Sequence, residues 1–205
     1  MDTRPNTPVH LTYEFVRSLY AKYYYPFLTG PYRVNLFGIR SKKLLVNEFD
    51  DVLGIAWDDF YGMGQCLAFR GTTDPGLYWL KNKLGNINGT FILAPGFYDE
   101  CFKLGFHNVG KPNAYRAFVQ SGPGVFRGWR DDDSDGEFDM DGIPTYTDVT
   151  GLNLHHANDA EYVGPYSAAC QVLQSDREHQ VMVALGERHA ELYSNIFNYA
   201  LFQSQ

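Results

Sequence analysis

The chain has 205 residues, 44% hydrophobic and 20% charged, enough for one domain with a full core. A formal net charge of -7 with no Lys/Arg-rich block excludes tight nucleic-acid binding, which needs clustered basic side chains. No apolar run is long enough to predict a membrane-spanning helix, and the start, MDTRPNTPVHLTYEFV, lacks the basic and apolar regions of a secretory signal.

In chain order, Leu11, Phe15, Leu19 and Tyr23 recur every four residues and predict an amphipathic helix over roughly 9–25, ended by Pro26, Gly30 and Pro31. From Tyr32 to Val172, short apolar runs are separated by Gly, Pro, Asn and Asp. They include Gly54–Trp57, Cys66–Phe69, Thr90–Leu93, Ala117–Val119 and Val125–Trp129. Many short strands with frequent turns predict a mostly-β barrel or sandwich, and the alternating rhythm of a doubly wound nucleotide-binding fold is absent. Ser175-Asp-Arg-Glu178 predicts a capping box, followed by Val181, Leu185, Arg188 and Leu192 at helical spacing. Ile196–Phe202 reads as a terminal strand. The expected organisation is a helical extension over 1–34 and one domain over 35–205. The 15 Tyr and 15 Phe are read as filling a core rather than as a sugar-binding platform.

Three cysteines, Cys66, Cys101 and Cys170, leave at least one thiol free and form no disulfide framework, which suits a reducing cytoplasm. Cys66 and Cys101 lie outside any motif. Cys170 follows Tyr166-Ser-Ala-Ala and lies a short way after Gly151-Leu-Asn-Leu-His155-His156. A thiol attacks as its thiolate, and a histidine within hydrogen-bond reach can take the proton and return it to a leaving amine. A strand-end histidine beside a cysteine in a small-residue turn would make such a pair. Spacing alone leaves a buried thiol and a packed core histidine as the plainer reading.

Ser167-Ala-Ala-Cys170 and Leu152-Asn-Leu-His155 resemble the cysteine and upstream-histidine motifs of L,D-transpeptidase catalytic domains. A phage and bacterial branch with Gly-Ile-Asn-Ile-His-Arg and Trp-Ser-Ala-Gly-Cys-Gln-Val is more similar still. Asn35–Ser41, Arg70–Gly76, Asn88–Thr90 and Ala94–Gly96 resemble that branch too, so the likeness covers roughly 35–173. It implies an L,D-transpeptidase-type β-fold flanked by N- and C-terminal helices. It also implies Cys170 as nucleophile, His155 as base and Ser167 as a catalytic orienting group, with His107, His156 and Gln171 facing the substrate. The implied partner is bacterial peptidoglycan. The implied activity is an endolysin-like hydrolase, made in the bacterial cytoplasm and acting at the cell wall, that passes through a Cys170 thioester. The alternatives are a crosslinking L,D-transpeptidase, a non-catalytic wall-binding or virion protein, and a zinc peptidase using His155, His156 and Cys170. Adjacent strand residues point to opposite faces, which argues against the zinc site. Ala169 stands where the family has glycine, His156 where near relatives have arginine, and Gln171 where typical transpeptidases have arginine.

The thiol chemistry requires no cofactor. Asp131-Asp-Asp133-Ser-Asp135-Gly136-Glu-Phe-Asp139 nevertheless repeats the carboxylate spacing of a calcium loop, with glycine at its sixth position. Gly142 stands where an EF-hand has its bidentate glutamate, so the candidate is a non-EF calcium loop or a solvated acidic turn.

Overall fold

The computed structural model describes residues 9–82 and 86–204. In chain order its elements are α1 (Tyr13–Lys22), β1 (Val34–Arg40), β2 (Asp51–Asp58), β3 (Gly64–Thr72), α2 (Leu77–Leu80), β4 (Thr90–Leu93), β5 (Gly96–His107), β6 (Tyr115–Gln120), β7 (Gly128–Asp131), β8 (Leu154–His156), β9 (Gln171–Leu173), α3 (Asp176–Leu192) and β10 (Phe197–Gln203). Eight strands close a barrel in the order β1-β10-β5-β6-β8-β9-β3-β2, while β4 and β7 pair apart from it. The fold is therefore mostly β. The expected strand at Val125–Trp129 begins later, at Gly128, because Phe126 turns into the core instead of pairing.

Most barrel neighbours are antiparallel, but β1 pairs with β10, and β8 with β9, in parallel. Parallel neighbours need a long crossover. The one between β8 and β9 runs over 157–170 and contains a single 3-10 turn, Gly164–Tyr166. Ala157 and Val163 bury it against Phe49 and Val172. Two hydrogen bonds hold it to the α2 segment: Gly76 N–H donates to the Ser167 carbonyl (2.9 Å) and Trp79 Nε1 to the Pro165 carbonyl (3.0 Å). Both parallel strands start at the same end, so the crossover delivers Cys170 to the head of β9 beside Asn153.

The main core joins Leu36, Leu53, Phe102, Phe118 and Tyr199 of the barrel to Met182 and Val183 of α3. A second core docks α1 on Phe37, Ala56, Ala68 and Phe202, so the N-terminal helix packs directly on the barrel. Its buried stripe is Tyr13, Val16 and Tyr20, not the expected Leu11/Phe15/Leu19/Tyr23 row. Phe15 is 45% exposed. Tyr20 wins the inward face because its ring packs edge-on against Phe27 and Phe202 while its hydroxyl donates to the Leu36 carbonyl. Termination also comes earlier than the prolines suggest. Tyr24 is left-handed (φ 58), Tyr24 N–H donates to the Ala21 carbonyl, and Tyr25 N–H to the Tyr20 carbonyl, a Schellman closure.

In α3, Ser175 is the N-cap residue but makes no side-chain capping bond, and the buried face is His179, Met182, Val183, Gly186 and His189. Arg70–Gly76 is consumed by structure. Buried Arg40 pairs with Asp74 (2.8 Å) and donates to Thr73, whose N–H and hydroxyl both donate to Asp51.

Candidate active site

Cys170 is 9% exposed and lines a cavity of about 150 Å³ together with Trp79, Phe91, Arg130, Gly151 and Ala168. Its sulfur accepts from Asn153 N–H (3.4 Å), and its thiol donates to the Gly151 carbonyl (3.6 Å). Burial pushes the thiol up to about 11, with the Asn153 N–H pulling weakly the other way. The resting sulfur is thus a thiol, not the thiolate that the motif suggests. All three cysteines are free.

His155 lies on β8 opposite Val172, two residues along from Cys170's neighbour Asn153. Alternation along a strand puts Asn153 and His155 on one face. No hydrogen bond joins Cys170 and His155 in the resting chain, and His155 Nε2 has no partner. His155 Nδ1 instead stands 3.0 Å from the His156 carbonyl and 3.2 Å from the Tyr115 hydroxyl. A carbonyl only accepts, so Nδ1 carries the proton. Nε2 then keeps its lone pair, and it is buried without a partner. Burial, then the neighbouring His107, pushes His155 down to about 3, so the ring is neutral.

His155 opens on a second, larger cavity of about 580 Å³, shared with His107, Tyr115, His156 and Tyr166. His107 stacks on His155 with ring centroids 4.1 Å apart. The adjacent histidines border one cavity despite the expectation of opposite faces, His155 from its buried side and His156 as the half-buried last residue of β8. His156 Nδ1 accepts from Asn158 N–H, and its ring lies over Tyr115. Among the described residues, the histidines and Cys170 form no group with ligand atoms close enough for one metal; only the acidic loop does.

Two expected roles need correction. Ser167 is fully buried and donates to the Cys170 carbonyl (2.8 Å), so it braces the turn and touches neither sulfur nor imidazole. Gln171 points into the barrel, where Tyr199 donates to its side-chain oxygen (2.6 Å), out of reach of a substrate. Ala169 is not among the left-handed residues, so the missing glycine strains nothing. In the acidic loop, the carboxylates of Asp131, Asp133 and Asp139 gather; Asp135 stands outside the trio.

Sequence reasoning missed Asn153 and Tyr115. Asn153 accepts Gln120 N–H through Oδ1, which leaves Nδ2 to donate to His107 Nδ1 (3.1 Å) while its own backbone N–H holds the Cys170 sulfur. It links the two cavities. Its place inside the Leu-Asn-Leu-His segment was an available signal. Tyr115, in an ordinary strand, carried none.

No family model, curated protein or solved structure matches the chain. Among the described residues, no helix is long and apolar enough to cross a membrane.

Proposed function

We propose that the chain is a cysteine-dependent peptidoglycan hydrolase of L,D-transpeptidase type, with Cys170 as nucleophile and His155 Nε2 as base. The observation that carries this reading is the setting of the His155 ring, with Nδ1 beside the His156 carbonyl and Nε2 buried without a partner. Nδ1–H is spent on the His156 carbonyl, so the only lone pair of the ring is the partnerless Nε2, one strand away from a cavity-lining thiol. In the reaction, rotation of the Cys170 side chain takes the thiol from the Gly151 carbonyl to His155. Nε2 accepts the proton as sulfur attacks an amide carbonyl. The C–N bond breaks, the amine leaves with that proton, and a thioester remains. Water then attacks with His155 again as base, freeing a carboxylate and restoring the thiol.

Hydrolysis is favoured over crosslinking because the position after the nucleophile holds a buried, hydrogen-bonded Gln171 in place of the arginine of typical transpeptidases. One observation favours a second reading, a wall-binding protein without catalysis: the resting thiol, pushed up to about 11, is bonded to the backbone.

Mass spectrometry of muropeptides after digestion of purified walls separates them. The wild type should release peptide fragments, while Cys170→Ala, with the melting temperature little changed, and His155→Gln should each lose at least about 100-fold in rate. Release by Cys170→Ala at the wild-type rate would remove the nucleophile. Wall binding without any fragment from the wild type would favour the second reading.

A further inference from the structure

The acidic loop that follows β7 takes no part in the thiol chemistry, yet it has the marks of a built site. Asp131 ends β7 opposite Thr90 and is only 2% exposed. One of its carboxylate oxygens is buried with no hydrogen-bond partner. Leaving a carboxylate oxygen dry and unpaired is costly, and a bound cation is one of few groups that offset it.

Ligand oxygens of Asp131, Asp133 and Asp139 lie within 4.8 Å of one another. Two oxygens on opposite sides of a calcium ion, each about 2.4 Å away, stand about 4.8 Å apart, so the trio needs only a small inward shift to close on one ion. Among the described residues no Lys or Arg pairs with any of these carboxylates. The backbone is wound to suit: Ser134 (φ 65) and Gly136 (φ +93) are left-handed. Asp133 accepts Asp135 N–H and Asp135 accepts Glu137 N–H, which folds the loop back toward Asp131.

We propose that Asp131, Asp133 and Asp139 hold one calcium ion. An all-oxygen set without Cys or His suits a hard cation rather than zinc. Three carboxylates at this spread suit the larger and less rigid shell of calcium over the tight octahedron of magnesium. The ion also touches the Cys170 cavity indirectly. Gly89 packs so closely on the Asp131 carbonyl that a Cβ there would stand 1.6 Å from it, and the Gly89 carbonyl accepts from Arg130 (2.8 Å). Gly89 and Arg130 both line that cavity.

The test uses the full chain stripped with a chelator, melted with and without about 1 mM calcium chloride, alongside calorimetric titration. An ion that binds only the folded chain should raise the melting temperature by about 5 °C and titrate near one per chain. Magnesium at the same concentration should do much less. The exposed-side variants Asp133→Asn and Asp139→Asn should melt at or above the metal-free wild type, since each removes like-charge repulsion, and should lose the calcium rise. The proposal is overturned by an unchanged melt with no binding heat, by a rise that survives in both variants, or by an equal rise with magnesium.

Discussion

At the residue scale, Cys170 and His155 are both kept neutral. Burial raises the thiol to about 11 and lowers the imidazole to about 3, so at neutral pH neither carries charge in the resting chain. The alkylation rate of Cys170 follows from this. Two units above an ordinary thiol reduce the thiolate fraction about 100-fold, while the greater nucleophilicity of the more basic sulfur returns nearly tenfold. At pH 8, iodoacetamide should therefore modify native Cys170 about tenfold more slowly than the urea-unfolded chain, read by peptide mass spectrometry. A faster native rate would mean a stabilised thiolate and a different resting hydrogen-bond pattern. Cys170 and His155 stood out in the sequence because they sit in segments that resemble a known motif. That no hydrogen bond joins them at rest could not be read there, because it depends on Asn153 N–H and the Gly151 carbonyl engaging the sulfur, and on the His156 carbonyl engaging the ring. Backbone groups of that kind leave no residue-type signature.

At the scale of elements, the strands were more legible than the helix faces. Short apolar runs such as Gly54–Trp57 and Cys66–Phe69 fall inside β2 and β3, since turn residues punctuate them. In α3 the Val181/Leu185 row looked like the core stripe, but Val181 is 44% exposed. The barrel selects His179, Gly186 and His189 instead, and such residues carry no apolar period. Gly186 is there for closeness: a Cβ would stand 2.7 Å from the Phe118 ring, itself edge-on to Phe197 in the core. Gly186→Ala tests this against helix propensity. Alanine gains about 1 kcal/mol in a helix interior, while overpacking a buried ring costs about 1–3 kcal/mol. Packing should win, and urea unfolding should show a net loss of about 1 kcal/mol. A stabilised variant would show that the interface has room to relax.

At the scale of the whole molecule, the buried histidines make stability depend on pH. His179 is 1% exposed, and burial, then the nearby His156, pushes it down to about 4. The same ring in the unfolded chain titrates near about 6.5. Between those values the unfolded chain binds a proton that the folded chain refuses. The contribution of His179 is therefore fully present above pH 6.5 and is lost as pH falls toward 4. His155 acts in the same direction. Asp74 and Asp131, whose carboxyls burial holds above the usual range, act in the opposite direction, so the pH curve of the whole chain is a difference between two sets of groups. A variant isolates the histidine. His179→Gln should melt below the wild type at pH 7.5, because it disturbs a packed site. The gap should then narrow by about 1.4 kcal/mol at pH 5.5, one unit below the unfolded value, or about 3–5 °C for a chain of this size. A gap that stays constant or widens on acidification would mean that His179 is charged in the folded chain. Its buried Nε2, without a partner in the structure, would then have to find an acceptor.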